Sequence, residues 1–210
     1  MTKRNGLERI RRNAHRELHR DGLTEVTAGI FLFIVALAAG RPAFYWTYLV
    51  GLVMLGPGLT RLRSRYTYPR IGFAEVPPED RKRLGRGMAA WVVGAFLAVA
   101  VALALFGVVT DHLAWRRAAP ALAGILFGGG FLYLAQRSGL KRVYALAAAS
   151  ALSGCLLAWP GIGPRVEGAY ANLRVWAIVM ALLCLAVGGL AFRRFVRENP
   201  ISEEWSSDTE

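Results

Sequence analysis

The chain predicts an all-α, polytopic membrane helix bundle of six spans arranged as three helical hairpins. Three observations carry that prediction. Hydrophobic residues make up 55% of the 210, above the usual share for a soluble domain. Six apolar stretches run for most of a bilayer's thickness without a charged side chain. The 26 Lys+Arg, which leave a net charge of +12, are bunched between those stretches. Together these features exclude a disordered chain, a soluble basic nucleic-acid module and a secreted disulfide scaffold.

Residues 1–22 form the first unit, a basic arm. Leu7, Ile10, Ala14 and Leu18 follow 3-4-4 spacing and share one helical face, flanked by Arg9, Arg11, Arg12 and Arg16. That pattern predicts an amphipathic helix lying on an anionic leaflet, and makes those four arginines candidate lipid- or partner-binding residues. His15 and His19 stand at the i, i+4 spacing that lets two imidazoles share a metal. No third ligand accompanies them, and Arg12, Arg16 and Arg20 oppose a cation, so no metal is expected. Asp21-Gly22 ends the arm.

The membrane domain covers 23–192, with spans predicted at Leu23–Gly40, Ala43–Thr60, Met88–Val109, Ala118–Gln136, Val143–Pro160 and Asn172–Phe192. Asp21 and Glu25 flank the first entry. Two readings of Glu25 compete: it favours the positive end of the helix dipole, or it faces the bundle, pairs with a cytoplasmic arginine and marks an intramembrane acidic site. Phe44, Tyr45, Trp46, Trp115 and Trp159 on one side, with Tyr66, Tyr68 and Tyr144 on the other, fit interfacial anchoring. Ala36-Leu37-Ala38 resembles a signal cleavage site, but the uncut chain already obeys the charge rule.

The cations set orientation. Twenty-one fall in the arm, the second connection, the fourth connection and the tail, against five on the other side. Both termini are therefore expected in the cytoplasm. Only three of the cations are lysine, a bias read as GC-rich codon usage, so a multi-pass protein of a bacterial inner membrane is expected.

The second connection, 61–86, is the longest and reads as a folded cytoplasmic element. Pro69 and Gly72 suit turns, and Tyr68 and Arg70 are its candidate lipid- or partner-binding residues. Further along, Gly56-Pro57-Gly58, Gly128-Gly129-Gly130 and Gly188-Gly189 each precede a cationic exit. They read either as a threefold internal repeat or as small residues at ordinary helix boundaries. Span five carries Ala147/Ala151 and Ser150/Gly154, a face suited to close packing within one chain or between two copies. The tail, 193–210, turns acidic, and its carboxylates suit the basic loop or a partner.

The segments Tyr68-Pro69-Arg70-Ile71-Gly72-Phe73 and Phe195-Val196-Arg197-Glu198-Asn199-Pro200, with the entry Asp21-Gly22-Leu23-Thr24-Glu25, resemble those of small bacterial integral membrane proteins with no assigned function. That resemblance implies no activity.

Several chemistries lack their residues. No lysine lies in a predicted span for a Schiff base, and HExxH, CxxC and a phosphate-binding glycine loop with lysine are all missing. Cys155 and Cys184 fall inside spans as small apolar residues, and Ser150 and Ser153 have no nearby base. No enzyme activity, cofactor or nucleic-acid partner is therefore expected. The expected role is that of a non-enzymatic accessory or regulatory inner-membrane protein, engaging anionic lipid, a protein partner or a second copy through its cytoplasmic face. The alternative is a small transporter or channel for a neutral or apolar solute, its site built from backbone at Gly128–Gly130 or Gly56–Gly58.

Overall fold

The computed structural model describes residues 19–39, 45–71, 94, 112–159 and 170–200. Arg9, Arg11, Arg12 and Arg16, the span Met88–Val109 apart from Gly94, and the acidic stretch after Pro200 lie outside the described residues. Among the described residues every regular element is helical: α1 (Leu23–Ala38), α2 (Tyr45–Tyr66), the single turn α3 (Tyr68–Ile71), α4 (His112–Ser138), α5 (Lys141–Ala158) and α6 (Ala171–Glu198). Two stretches, Arg117–Ser138 and Ala171–Glu198, are long and apolar enough to cross a membrane.

Helix ends follow local chemistry. α1 begins after Gly22, whose φ of 73° only glycine adopts without strain, and the Asp21 Oδ1 accepts the free Leu23 N–H at 3.1 Å. α4 stops where Gly139 turns left-handed at φ 67° and donates its N–H to the Ala135 carbonyl at 2.7 Å. α2 runs past the predicted end at Thr60 to Tyr66, because nothing in Arg61–Tyr66 breaks a helix. Its last turns lift a run of arginines beyond the apolar part.

The closest packing runs across the predicted hairpin boundaries, pairing α4 with α5 and α1 with α6. Glycine is the reason. A Cβ placed on Gly124 would lie 2.6 Å from the Ser150 carbonyl oxygen and 2.9 Å from the Gly154 Cα, so these backbones nearly touch. Gly29 meets the Ala181 carbonyl in the same way, at 3.0 Å, and Gly188 meets the backbone of Gly22 and Val26. Gly56 and Gly58 by contrast have no atom of the described residues within 4 Å of such a Cβ. Gly128, against the Ala147 carbonyl at 3.0 Å, packs as Gly188 does, so only the Gly56–Gly58 exit stands apart from the other two.

The core layer joins four helices. Leu32, Phe131, Ala135, Leu146, Trp176, Met180 and Cys184 are buried together, and the Phe127 ring lies between Phe31 and Trp176 at centroid separations of 6.2 and 5.6 Å. Its polar atoms are satisfied in a chain. The Trp176 indole donates to the Ser150 carbonyl at 3.2 Å, and the Ser150 hydroxyl donates to the Gly124 carbonyl at 2.9 Å. An indole N–H buried in apolar surroundings needs such an acceptor.

Candidate functional site

At one end of the bundle the start of α1 meets the ends of α2, α4 and α6 and the start of α5. Five helix termini converge there, each carrying backbone groups that lack a partner within their helix. Arginines and two acids supply them.

Asp21 is fully buried and saturated with donors. Its Oδ2 accepts the Arg63 Nε–H at 3.1 Å and the Thr67 hydroxyl at 3.1 Å, while its Oδ1 caps Leu23. Arg63 also donates through Nη2 to the Thr24 hydroxyl at 2.9 Å. The unit binds α2 to α1 across 42 residues of sequence. A buried carboxylate tolerates this position because each partner is a donor and one is a full cation.

Glu25, one turn further into α1, is 3% exposed and accepts the Arg142 Nε–H at 2.7 Å. Arg142 spends its other donors on the carbonyls of His19 at 2.6 Å and Arg20 at 3.3 Å. One arginine at the start of α5 thus fixes both the carboxylate and the backbone entering α1. The Glu25 Oε2 has no hydrogen-bond partner among the described residues. Beside it is a cavity of about 10 Å³ lined by His19, Thr24, Glu25, Ser138 and the apolar Phe131, Leu134 and Val143. That is about the room one water molecule needs.

Arg70, on α3, donates to the carbonyls of Asn199 at 2.8 Å and Val196 at 3.4 Å. These are orphan acceptors at the negative end of α6, where a cation is favoured. Glu198 bridges outward, accepting from Arg194 at 2.6 Å and from Arg20 at 2.6 Å. The Arg194 hydrogen bond, aided by the charges of Arg194 and Arg20, holds its carboxyl below the usual carboxylate range. At the opposite end, Arg174 donates to the Ala39 carbonyl at 2.7 Å and Asn172 to the Leu157 carbonyl at 3.0 Å.

The residues singled out from sequence meet different fates. Glu25 faces the bundle and pairs with an arginine, the second of its two readings, while it also sits in the first turn of α1. Arg70 is half-buried, its Nη1 is committed to the end of α6, and its buried Nε has no hydrogen-bond partner among the described residues. Tyr68 is half-buried beside it on α3. Reading the sequence missed the Asp21–Arg63–Thr67 unit and the choice of Arg142 as the partner of Glu25. One signal was present: Asp21 and Glu25 are the only acids at the α1 entry, and both lie among cation-rich helix ends. No protein-family model, curated protein or solved structure matches the chain.

Proposed function

We propose that this chain is an accessory protein of a bacterial inner membrane, crossing it six times with both termini in the cytoplasm, and that its basic end is a rigid platform for lipid or a protein partner. The observation that carries this reading is the convergence of five helix ends on buried and half-buried ion pairs. Asp21–Arg63, Glu25–Arg142 and Arg70 on the α6 terminus spend most of their charge inside the molecule. Such pairs fix geometry more than they add stability, a use suited to a surface that must hold its shape.

The charge distribution supports the orientation. Arg61, Arg63, Arg65, Arg70, Arg137, Lys141, Arg142, Arg193, Arg194 and Arg197 lie at the platform end, and Arg117 and Arg174 at the other. Between the ends, the layer at mid-depth is filled by Leu32, Phe131, Trp176, Met180 and Ala181, packing that favours a scaffold over a solute path.

The test is a topology and flux pair. In a background with Cys155→Ser and Cys184→Ala, Ser64→Cys should react with a membrane-impermeant maleimide only in inverted vesicles, and Ala43→Cys only in right-side-out ones. Reaction of Ser64→Cys from the outside overturns the orientation. Glycerol equilibration in proteoliposomes faster than in protein-free vesicles overturns the scaffold reading in favour of transport.

A further inference from the structure

The cations at the platform end divide into two sets. Arg20, Arg63, Arg70, Arg142 and Arg194 are bound to carboxylates or carbonyls. Arg61, Arg65, Arg137, Lys141, Arg193 and Arg197 are exposed and form no ion pair among the described residues. Four of these stand four apart in pairs, Arg61 with Arg65 on α2 and Arg193 with Arg197 on α6, so each pair shares a face.

An aromatic contact ties the two helices together beside the pairs. The Arg65 guanidinium lies 5.8 Å from the centroid of the Tyr66 ring, and Tyr66 meets Phe192 edge-on at 6.1 Å. Arg193 follows Phe192 directly. Just inside this contact, each helix exposes a leucine, Leu62 and Leu190, the latter 69% exposed. Each also carries a glycine one turn from its arginine pair, Gly58 and Gly189, where an added Cβ meets no atom of the described residues within 4 Å.

We propose that Arg61, Arg65, Tyr66, Phe192, Arg193 and Arg197 form a binding site for the headgroup of an anionic phospholipid. The occupant must present an anion to four guanidinium groups that form no ion pair among the described residues, and continue as an apolar chain past Leu62, Leu190 and the open glycine positions. A phospholipid has that shape, whereas an acidic peptide matches only its charged half. The phosphodiester takes the planar fork of arginine through two hydrogen bonds, and Tyr66 sits at the depth where tyrosine belongs at a membrane interface. This site rests on the membrane reading above. It also moves the lipid contact off Arg70, which is committed to α6.

The test uses the full chain in mild detergent and reads retained lipid by native mass spectrometry, with phosphatidylglycerol and phosphatidylcholine as probes. The wild-type chain should retain phosphatidylglycerol preferentially. R61Q/R65Q/R193Q/R197Q should lose roughly tenfold or more of that preference, as expected when several guanidinium groups stop contributing near a headgroup. R117Q, at the other end, should keep it. Equal retention of the two lipids by the wild type, or unchanged preference in the quadruple variant, overturns the site. So does displacement of phosphatidylglycerol by inorganic phosphate, which marks a free-phosphate site, or by a soluble acidic peptide, which marks a protein contact. The variant must melt with the wild type in phosphatidylcholine; if it does not, R61K/R65K/R193K/R197K replaces it, and partial preference is then expected because the fork is lost while the charge remains. Failure of the membrane reading gives a separate result, extraction of the chain from membranes by alkaline carbonate.

Discussion

Replacing Arg142 by glutamine tests the platform most directly. The substitution removes the 2.7 Å ion pair to Glu25 and the donors to the carbonyls of His19 and Arg20. It leaves a carboxylate that is 3% exposed, one of whose oxygens already lacks a partner among the described residues. Breaking a buried pair from one side costs about 3–5 kcal/mol. The Arg142 side chain is 24% exposed and lies at the bundle end, where water reaches part of the pair, so the expected loss is about 2–4 kcal/mol. Glu25→Gln alone should cost less, about 1–2 kcal/mol, because Arg142 keeps its carbonyl acceptors and only a neutral amide is buried. The double variant removes both charges and should be less damaging than the two singles summed, by about 1–3 kcal/mol. Reversible unfolding of the four proteins in mixed micelles gives the cycle. Polar pairs in membrane bundles average only about 0.6 kcal/mol, so a coupling below about 0.5 kcal/mol would refute the claim that this pair organises the platform.

Two further outcomes follow from the packing and the exposed ion pairs. Gly124→Ala sets a Cβ 2.6 Å from the Ser150 carbonyl oxygen and should cost about 1–3 kcal/mol in the same unfolding assay, since only backbone is there to yield. Gly189→Ala, with nothing described within 4 Å, should be neutral to within about 0.5 kcal/mol or raise stability, and equal losses at both positions would sink the packing account. For Glu198, a depressed carboxyl lends stability that is present above its ordinary range near pH 4.3 and lost as pH falls through its lower folded value. Glu198→Gln should therefore lower the melting temperature at pH 7 and make no difference at about pH 2; an equal effect at both would show that its charge is not involved.

How far the sequence could be read depended on whether a feature is local. The apolar runs mark α1, α4, α5 and α6 because helix length in an apolar stretch is a property of the stretch itself. The break at Asp21-Gly22 was legible as glycine punctuation for the same reason. Helix pairing was not. Connection length suggested three hairpins, pairing spans one with two, three with four and five with six, whereas helix contact follows wherever two backbones can approach. Gly22 and Gly188 decide that from opposite ends of the chain, and Gly124 and Gly154 decide it between the consecutive helices α4 and α5.

The arginines show the same limit in electrostatic form. Counting cations by connection weighs Arg61, Arg63, Arg65 and Arg70 alike, since the orientation rule sums charge over a loop. Helix geometry separates them. On α2, Arg63 points into the bundle toward Asp21, while Arg61 and Arg65, two residues to either side and about 160° away around the helix, point out. Arg70 drew attention because it stands in a distinctive Tyr-Pro-Arg run, yet that run is distinctive because Pro69 and Arg70 shape a turn that closes over the end of α6. The proposed lipid contacts are arginines without a motif around them, and only the register of α2 and α6, tied together by Tyr66 and Phe192, separates them from the rest.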